Sequence, residues 1–128
     1  MRLLSIDFSR ALPKIYEQIF TYNTMAKTER AKEDMDERTA SDLAELFRAI
    51  GDTSRVRILA AVMTRECKVG DIAAAVGNSE SAVSHHLRHL RQMRLVRARK
   101  AGREVFYSLD DDHVVALFKL GLEHVRHG

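Results

Sequence analysis

The stretch that decides the fold is Val69-Gly70-Asp71-Ile72-Ala73-Ala74-Ala75-Val76-Gly77-Asn78-Ser79-Glu80-Ser81-Ala82-Val83-Ser84-His85-His86-Leu87-Arg88-His89-Leu90. It reads as a short helix over roughly 69–76, stopped by Gly77. Asn78 and Ser79 then make a turn and a cap, and a longer helix covers roughly 80–93 with Val83, Leu87 and Leu90 buried. Beyond it the apolar period changes from about 3.6 to 2. Leu95-Val96-Arg97-Ala98-Arg99-Lys100 and Arg103-Glu104-Val105-Phe106-Tyr107-Ser108-Leu109 flank Ala101-Gly102, which predicts a β-hairpin. Two helices, a tight turn and a basic hairpin make a winged helix-turn-helix, a mainly α fold with a β-hairpin wing.

Upstream, Leu43, Leu46, Phe47 and Ile50 form a helical stripe ended by Gly51. Asp52, Thr53 or Ser54 caps the next helix, which is expected to turn Val56, Leu59, Val62 and Met63 inward. Downstream, Asp110 or Asp111 caps a last helix running almost to Gly128. Residues 39–127 are thus expected to form one winged helix-turn-helix domain. Residues 1–38 read as an extension: an amphipathic helix carrying Leu12, Ile15, Tyr16, Ile19 and Phe20, then a charged linker. Met25 and Met35 are candidate start codons.

The 128 residues, 45% hydrophobic and 30% charged, suit one domain plus an extra segment. No run approaches the ~20 apolar residues of a membrane span. Arg2, Asp7 and Arg10 interrupt any signal-peptide core. The single cysteine, Cys67, excludes an internal disulfide framework and a Cys-rich metal site, so a reducing, cytoplasmic compartment is the simplest reading. The net charge of +3 is unevenly placed. Residues 54–104 hold 11 Lys/Arg against four acids, a charge of +7, and the remainder is −4. Such a block is either a phosphate-binding surface or a solvated cationic face, and its coincidence with the helix-turn-helix favours the first. No phosphate loop, nucleophile elbow or H-E-x-x-H pattern appears, so no enzyme is expected.

The second helix of the motif is expected to enter the major groove of double-stranded DNA. Ser79, Ser81, Ser84, His85 and Arg88 offer hydrogen bonds there, opposite Val83 and Leu87. Arg97, Arg99, Lys100 and Arg103 of the hairpin are expected along the backbone or minor groove. His86 and His89 read as a surface or packing pair.

At these residues the chain resembles the ArsR/SmtB family of metal-sensing bacterial repressors. The resemblance covers roughly 39–127. It is carried by residues 49–59 (Ala49-Ile50-Gly51-Asp52-Thr53-Ser54-Arg55-Val56-Arg57-Ile58-Leu59), 69–73, 79–90, Leu95-Val96 and 102–109. It implies a homodimer that binds an inverted repeat of operator DNA and represses the promoter.

Three of six histidines sit in the last helix: Asp111-x-His113, then His124-x-x-His127. His113, His124 and His127 fall within roughly 40° of one another around the helix, yet His113 and His124 are about 16 Å apart along it. A zinc–nitrogen bond is ~2.0–2.1 Å, so one helix cannot bring both to one ion. Two antiparallel copies can, with Asp111 and His113 of one chain meeting His124 and His127 of the other. The resemblance implies the same four ligands, donated across a dimer. Three imidazoles and one carboxylate suit Zn²⁺, with Co²⁺ next. The resemblance also implies a link from the His124 imidazole to the backbone of Arg94. The family's other, thiolate site is not expected, because its positions hold Lys68 and Gly70. Two other readings stand beside this one: a repressor of the same fold answering a non-metal signal, and a small zinc hydrolase. Four ligands closing the shell argue against the hydrolase.

Overall fold

The computed structural model describes residues 35–127. The amphipathic helix expected at 12–20 lies outside them. Helix α1 spans Glu37–Ile50, so the expected boundary after residue 38 falls within its first turn. Asp36 caps it, Oδ1 accepting the Thr39 N–H at 2.7 Å. Helix α2 spans Thr53–Met63, and of its three candidate caps Asp52 acts, Oδ2 accepting the Arg55 N–H at 2.9 Å. A two-residue strand β1 (Cys67–Lys68) leads into α3 (Val69–Val76). Gly77 at φ 72° adopts the left-handed conformation that closes α3. The N–H groups of Gly77 and Asn78 both return to the Ala73 carbonyl. Ser79 Oγ then accepts the Ala82 N–H at 3.1 Å and starts α4 (Glu80–Gln92).

Strands β2 (Val96–Ala101) and β3 (Glu104–Leu109) follow, and α5 (Asp112–His127) ends the described chain. The sheet is antiparallel in the order β1-β3-β2. Strand β1 was not anticipated. Two residues carry no alternation, and only pairing with Phe106 and Tyr107 makes them a strand. The hairpin turn is also one residue later than expected. Ala101 pairs with Glu104, leaving Gly102-Arg103 as the loop. Gly102 has φ 63° at the first loop position, where a two-residue turn matching strand twist demands glycine.

The core lies where α2, α3, α4 and the root of the wing meet. Its largest fully buried side chains are Ile58, Leu59, Val62, Ile72, Val83, Leu87, Leu90 and Leu95. Each is worth roughly 1.5–3 kcal/mol of burial before entropy is counted. Val56, expected inward, is instead 38% exposed. It stands roughly 200° around α2 from Ile58, which takes the inward place. Leu43 and Phe47 of α1 and Leu120 and Val125 of α5 are exposed, Val125 at 79%. The first and last helices thus leave apolar side chains uncovered in a single chain.

Candidate nucleic-acid interface and metal half-sites

Ser81, Ser84, His85 and Arg88 occupy positions i, i+3, i+4 and i+7 of α4, and all four are exposed. They form one stripe on the side away from buried Val83, Leu87 and Leu90. Ser79 is exposed too, with its hydroxyl committed to the helix cap. The core holds the helix from behind, and its polar stripe faces outward.

The wing divides its cations. Arg97 and Arg99 lie on the sheet face that also carries Phe106 and Ser108. Arg97 Nε donates to Ser108 Oγ at 3.2 Å. Arg99 grips Glu66 with Nε and Nη2, the closest approach being 2.7 Å, and its guanidinium lies 5.0 Å from the Phe106 ring centroid. This hydrogen bonding holds the Glu66 carboxyl below its ordinary pKa and the Arg99 guanidinium above its own. Lys68 Nζ meets Glu104 Oε1 at 3.0 Å, which raises the Lys68 pKa. Arg99 is therefore engaged within the fold, whereas Lys100 and Arg103 are exposed near the wing tip. Glu66 stands 33 residues from Arg99, so no local pattern marked the pair.

Two hollows flank α4. One of about 460 Å³ is lined by Arg55, His85, His86, Arg88, His89 and Gln92. The other, about 430 Å³, is lined by Arg88, Arg91, Gln92 and Tyr107. Arg55, Arg91 and Tyr107 were not singled out from the sequence. The signal for Tyr107 was present: strand alternation places it with Val96 and Leu109 on the inner sheet face.

At the start of α5, Asp111 Oδ1 accepts the Val114 N–H at 2.9 Å and so caps the helix. His113 Nδ1 lies 3.7 Å from the same oxygen, and its side chain is 95% exposed. Two ligands of one tetrahedral ion, each ~2.0–2.1 Å from it, stand ~3.3 Å apart. Asp111 and His113 are thus already near ligand spacing, and Asp111 Oδ2 is not used by the cap. His124 and His127 are exposed in the last turn. Among the described residues, no three metal-ligating side chains gather within one chain. Cys67 is buried, its Sγ 3.5 Å from the carbonyls of Ala61 and Arg65. At Gly70, a Cβ would stand 2.8 Å from Glu80 Oε1, so a carboxylate rather than a thiolate lies against the first turn of α3.

Comparison with known proteins agrees with this arrangement. Residues 52–98 match the family described as bacterial regulatory proteins of the arsR family. A cadmium resistance transcriptional regulatory protein CadC homolog of Staphylococcus aureus is 37% identical over 107 residues, 83% of this chain and 88% of that protein. The chain belongs to the ArsR/SmtB family. This ArsR/SmtB member is also 48% identical over 87 residues to a transcriptional repressor SmtB homolog of Synechocystis, covering 68% of this chain and 66% of that relative. The solved homodimeric winged helix-turn-helix DNA-binding domain from Mycobacterium bovis superposes with a TM-score of 0.65 at 27% identity. It covers 73% of this chain and 90% of that one. The fold is the family's winged helix-turn-helix, and the chain is a DNA-binding regulator of transcription. No helix among the described residues is long and apolar enough to cross a membrane.

Proposed function

We propose that the chain is a metal-responsive repressor that binds operator DNA as a homodimer in the cytoplasm and leaves it when Zn²⁺, or Co²⁺, is bound. The observation that carries the metal reading is the split ligand set on α5. Asp111 and His113 stand together at its head, and His124 and His127 lie about 16 Å away at its tail. Each pair is half a tetrahedral shell, and a second, antiparallel copy of α5 completes it. The exposed apolar residues on α1 and α5 and the homodimeric structural relative support the dimer. The names of the SmtB and CadC relatives support repression and a response to metal.

In this reading, Ser81, Ser84, His85 and Arg88 meet base edges and phosphates, with Ser79 placing the first turn of α4. Lys100 and Arg103 reach the backbone beside them, and Arg97 and Arg99 add charge from the outer wing face. A bound metal would be held by Asp111 and His113 of one copy and His124 and His127 of the other, and would tie the two α5 helices together. His124 carries the signal by donating its second ring N–H to the backbone of Arg94, at the end of the reading helix. Coupling of this kind is reciprocal, so DNA weakens metal binding as much as metal weakens DNA binding.

The test is a titration of the dimer with Zn²⁺, Co²⁺ and Ni²⁺ on its own promoter fragment. The expected result is about one zinc ion per chain and release of the fragment. A chain that binds no zinc, or that holds its promoter equally well with zinc bound, overturns the proposal. His124→Gln removes one ligand as well as the link, so it is read at zinc concentrations that saturate the three remaining donors, where the zinc-bound variant is expected to keep its DNA.

A further inference from the structure

The two hollows beside α4 share Arg88 and Gln92 and differ elsewhere. On the α2 side the lining is Arg55, His85, His86 and His89; on the wing side it is Arg91 and Tyr107. Neither lining contains a carboxylate, so both suit an anion. A helix in a major groove about 12 Å wide has a sugar–phosphate backbone on each side. Resting on the reading of α4 as the groove-entering helix, we propose that each hollow seats a backbone phosphate from one of the two strands. The seat on the α2 side is proton-dependent and the seat on the wing side is fixed.

Arg55 is already anchored for such a role. Its Nε and Nη2 donate to the Ala49 and Arg48 carbonyls at the end of α1. A guanidinium has five N–H donors, so others remain for a phosphate. His85 and His86 stack edge to face with centroids 6.1 Å apart, and both line the same hollow. The charges facing these imidazoles are Arg88 on their own helix and, from α2, Arg55 and Asp52, the last attracted to His86. A phosphate seated among the three imidazoles favours their protonated forms by simple charge attraction, so protons are taken up with DNA. Imidazoles ordinarily titrate near ~6.5, inside the range where this is measurable. On the other side the lining holds no imidazole.

The experiment uses the full chain, with metal chelated, and a duplex that the wild-type protein selects from a random-sequence library. Affinity is followed by fluorescence anisotropy from pH 8 to pH 6 at constant ionic strength. Wild-type affinity is expected to rise by about tenfold per pH unit for each imidazole fully linked to binding. The double variant His86→Gln/His89→Gln keeps at most the share of this acid gain that belongs to His85. His89→Arg, which keeps the charge at all pH values, raises affinity at pH 8 toward the acid value. Arg91→Gln weakens binding at every pH and leaves the slope intact. An unchanged slope in the double variant, or no gain from His89→Arg, overturns the proposal. A chain that selects no duplex at all sinks the DNA-reading assignment itself, a separate outcome.

Discussion

The reading half of the molecule, α2 through the sheet, is finished within one chain, whereas its first and last helices are not. All eight of the largest fully buried side chains lie between Ile58 and Leu95. By contrast, α1 buries only Ala49 in fourteen residues, and α5 only Ala116 and Lys119 in sixteen. The two halves are therefore stabilised differently. The first draws on its own core; the second exposes apolar side chains and carries the residue pairs proposed above as ligands. A regulator benefits from this division, because the rigid half reads DNA while the less buried half can change its packing.

The sharpest way to break the contrast is to attack the core. Leu87→Ala removes a side chain 1% exposed at the heart of the reading half. It should cost about 2–5 kcal/mol in denaturant unfolding, a large share of a small domain's stability. Phe47→Asp strikes the other half. Phe47 is 52% exposed in the single chain, so the substitution should leave helical content intact. In the proposed dimer it should raise the dissociation constant by about tenfold to a hundredfold in sedimentation equilibrium. If Phe47→Asp unfolds the chain without changing its assembly, α1 belongs to the self-sufficient half.

At the head of α5 the same residue serves local structure and proposed chemistry, and two variants separate them. Asp111→Ala loses the cap to the Val114 N–H and should cost about 1 kcal/mol, besides losing metal. His113→Ala removes an exposed ring that caps nothing, so it should reduce metal affinity and leave the apo melting curve unmoved. Equal thermal losses in both would mean that the ring has a structural role.

Acid should act on the reading half through the cap of α2. The Arg55 N–H bond holds the Asp52 carboxyl below its ordinary pKa. A lowered folded-state pKa stabilises the protein above the unfolded value of ~3.9, and that contribution is lost as pH falls through the folded-state value. The gap in unfolding free energy between wild type and Asp52→Ala should therefore be constant from pH 7 to pH 5 and close below about pH 4. A constant gap down to pH 2 would mean that the cap does not depend on the carboxylate charge.

The parts that were legible in the sequence are those encoded locally. Gly77, Ser79 and the stripe Val83, Leu87, Leu90 marked both helices of the motif, and the change of period at Leu95 marked the wing. What escaped depends on tertiary partners or on a single residue of register. Strand β1 exists only through its pairing with β3. The hairpin turn slipped because Ala101-Gly102 and Gly102-Arg103 both contain the glycine, and only its positive φ at the first loop position decides between them. The Arg99–Glu66 ion pair was not legible because its partners lie 33 residues apart in sequence. The separation of Asp111 and His113 from His124 and His127 along α5, on which the proposed ligand pairs rest, was visible from helical rise alone. The counterpart that would complete them is not a property of one chain.

The smallest expected effect sits at the joint between the halves. Arg94 has φ 56°, the only non-glycine positive φ among the described residues. It follows α4, and the next N–H, from Leu95, returns to the Leu90 carbonyl at 2.9 Å. This pattern usually has glycine at the left-handed position, because a Cβ there costs roughly 1 kcal/mol or more. Arg94→Gly relieves that strain, although glycine's extra freedom in the unfolded chain offsets part of the gain. The net expectation is a stabilisation below about 1 kcal/mol, a rise of a few degrees in melting temperature. Because the variant keeps the backbone carbonyl proposed to accept from His124, zinc should still release DNA from it. A stabilised variant that no longer answers zinc would place the coupling in the Arg94 side chain or in the strain itself, and the proposed backbone link would have to be abandoned.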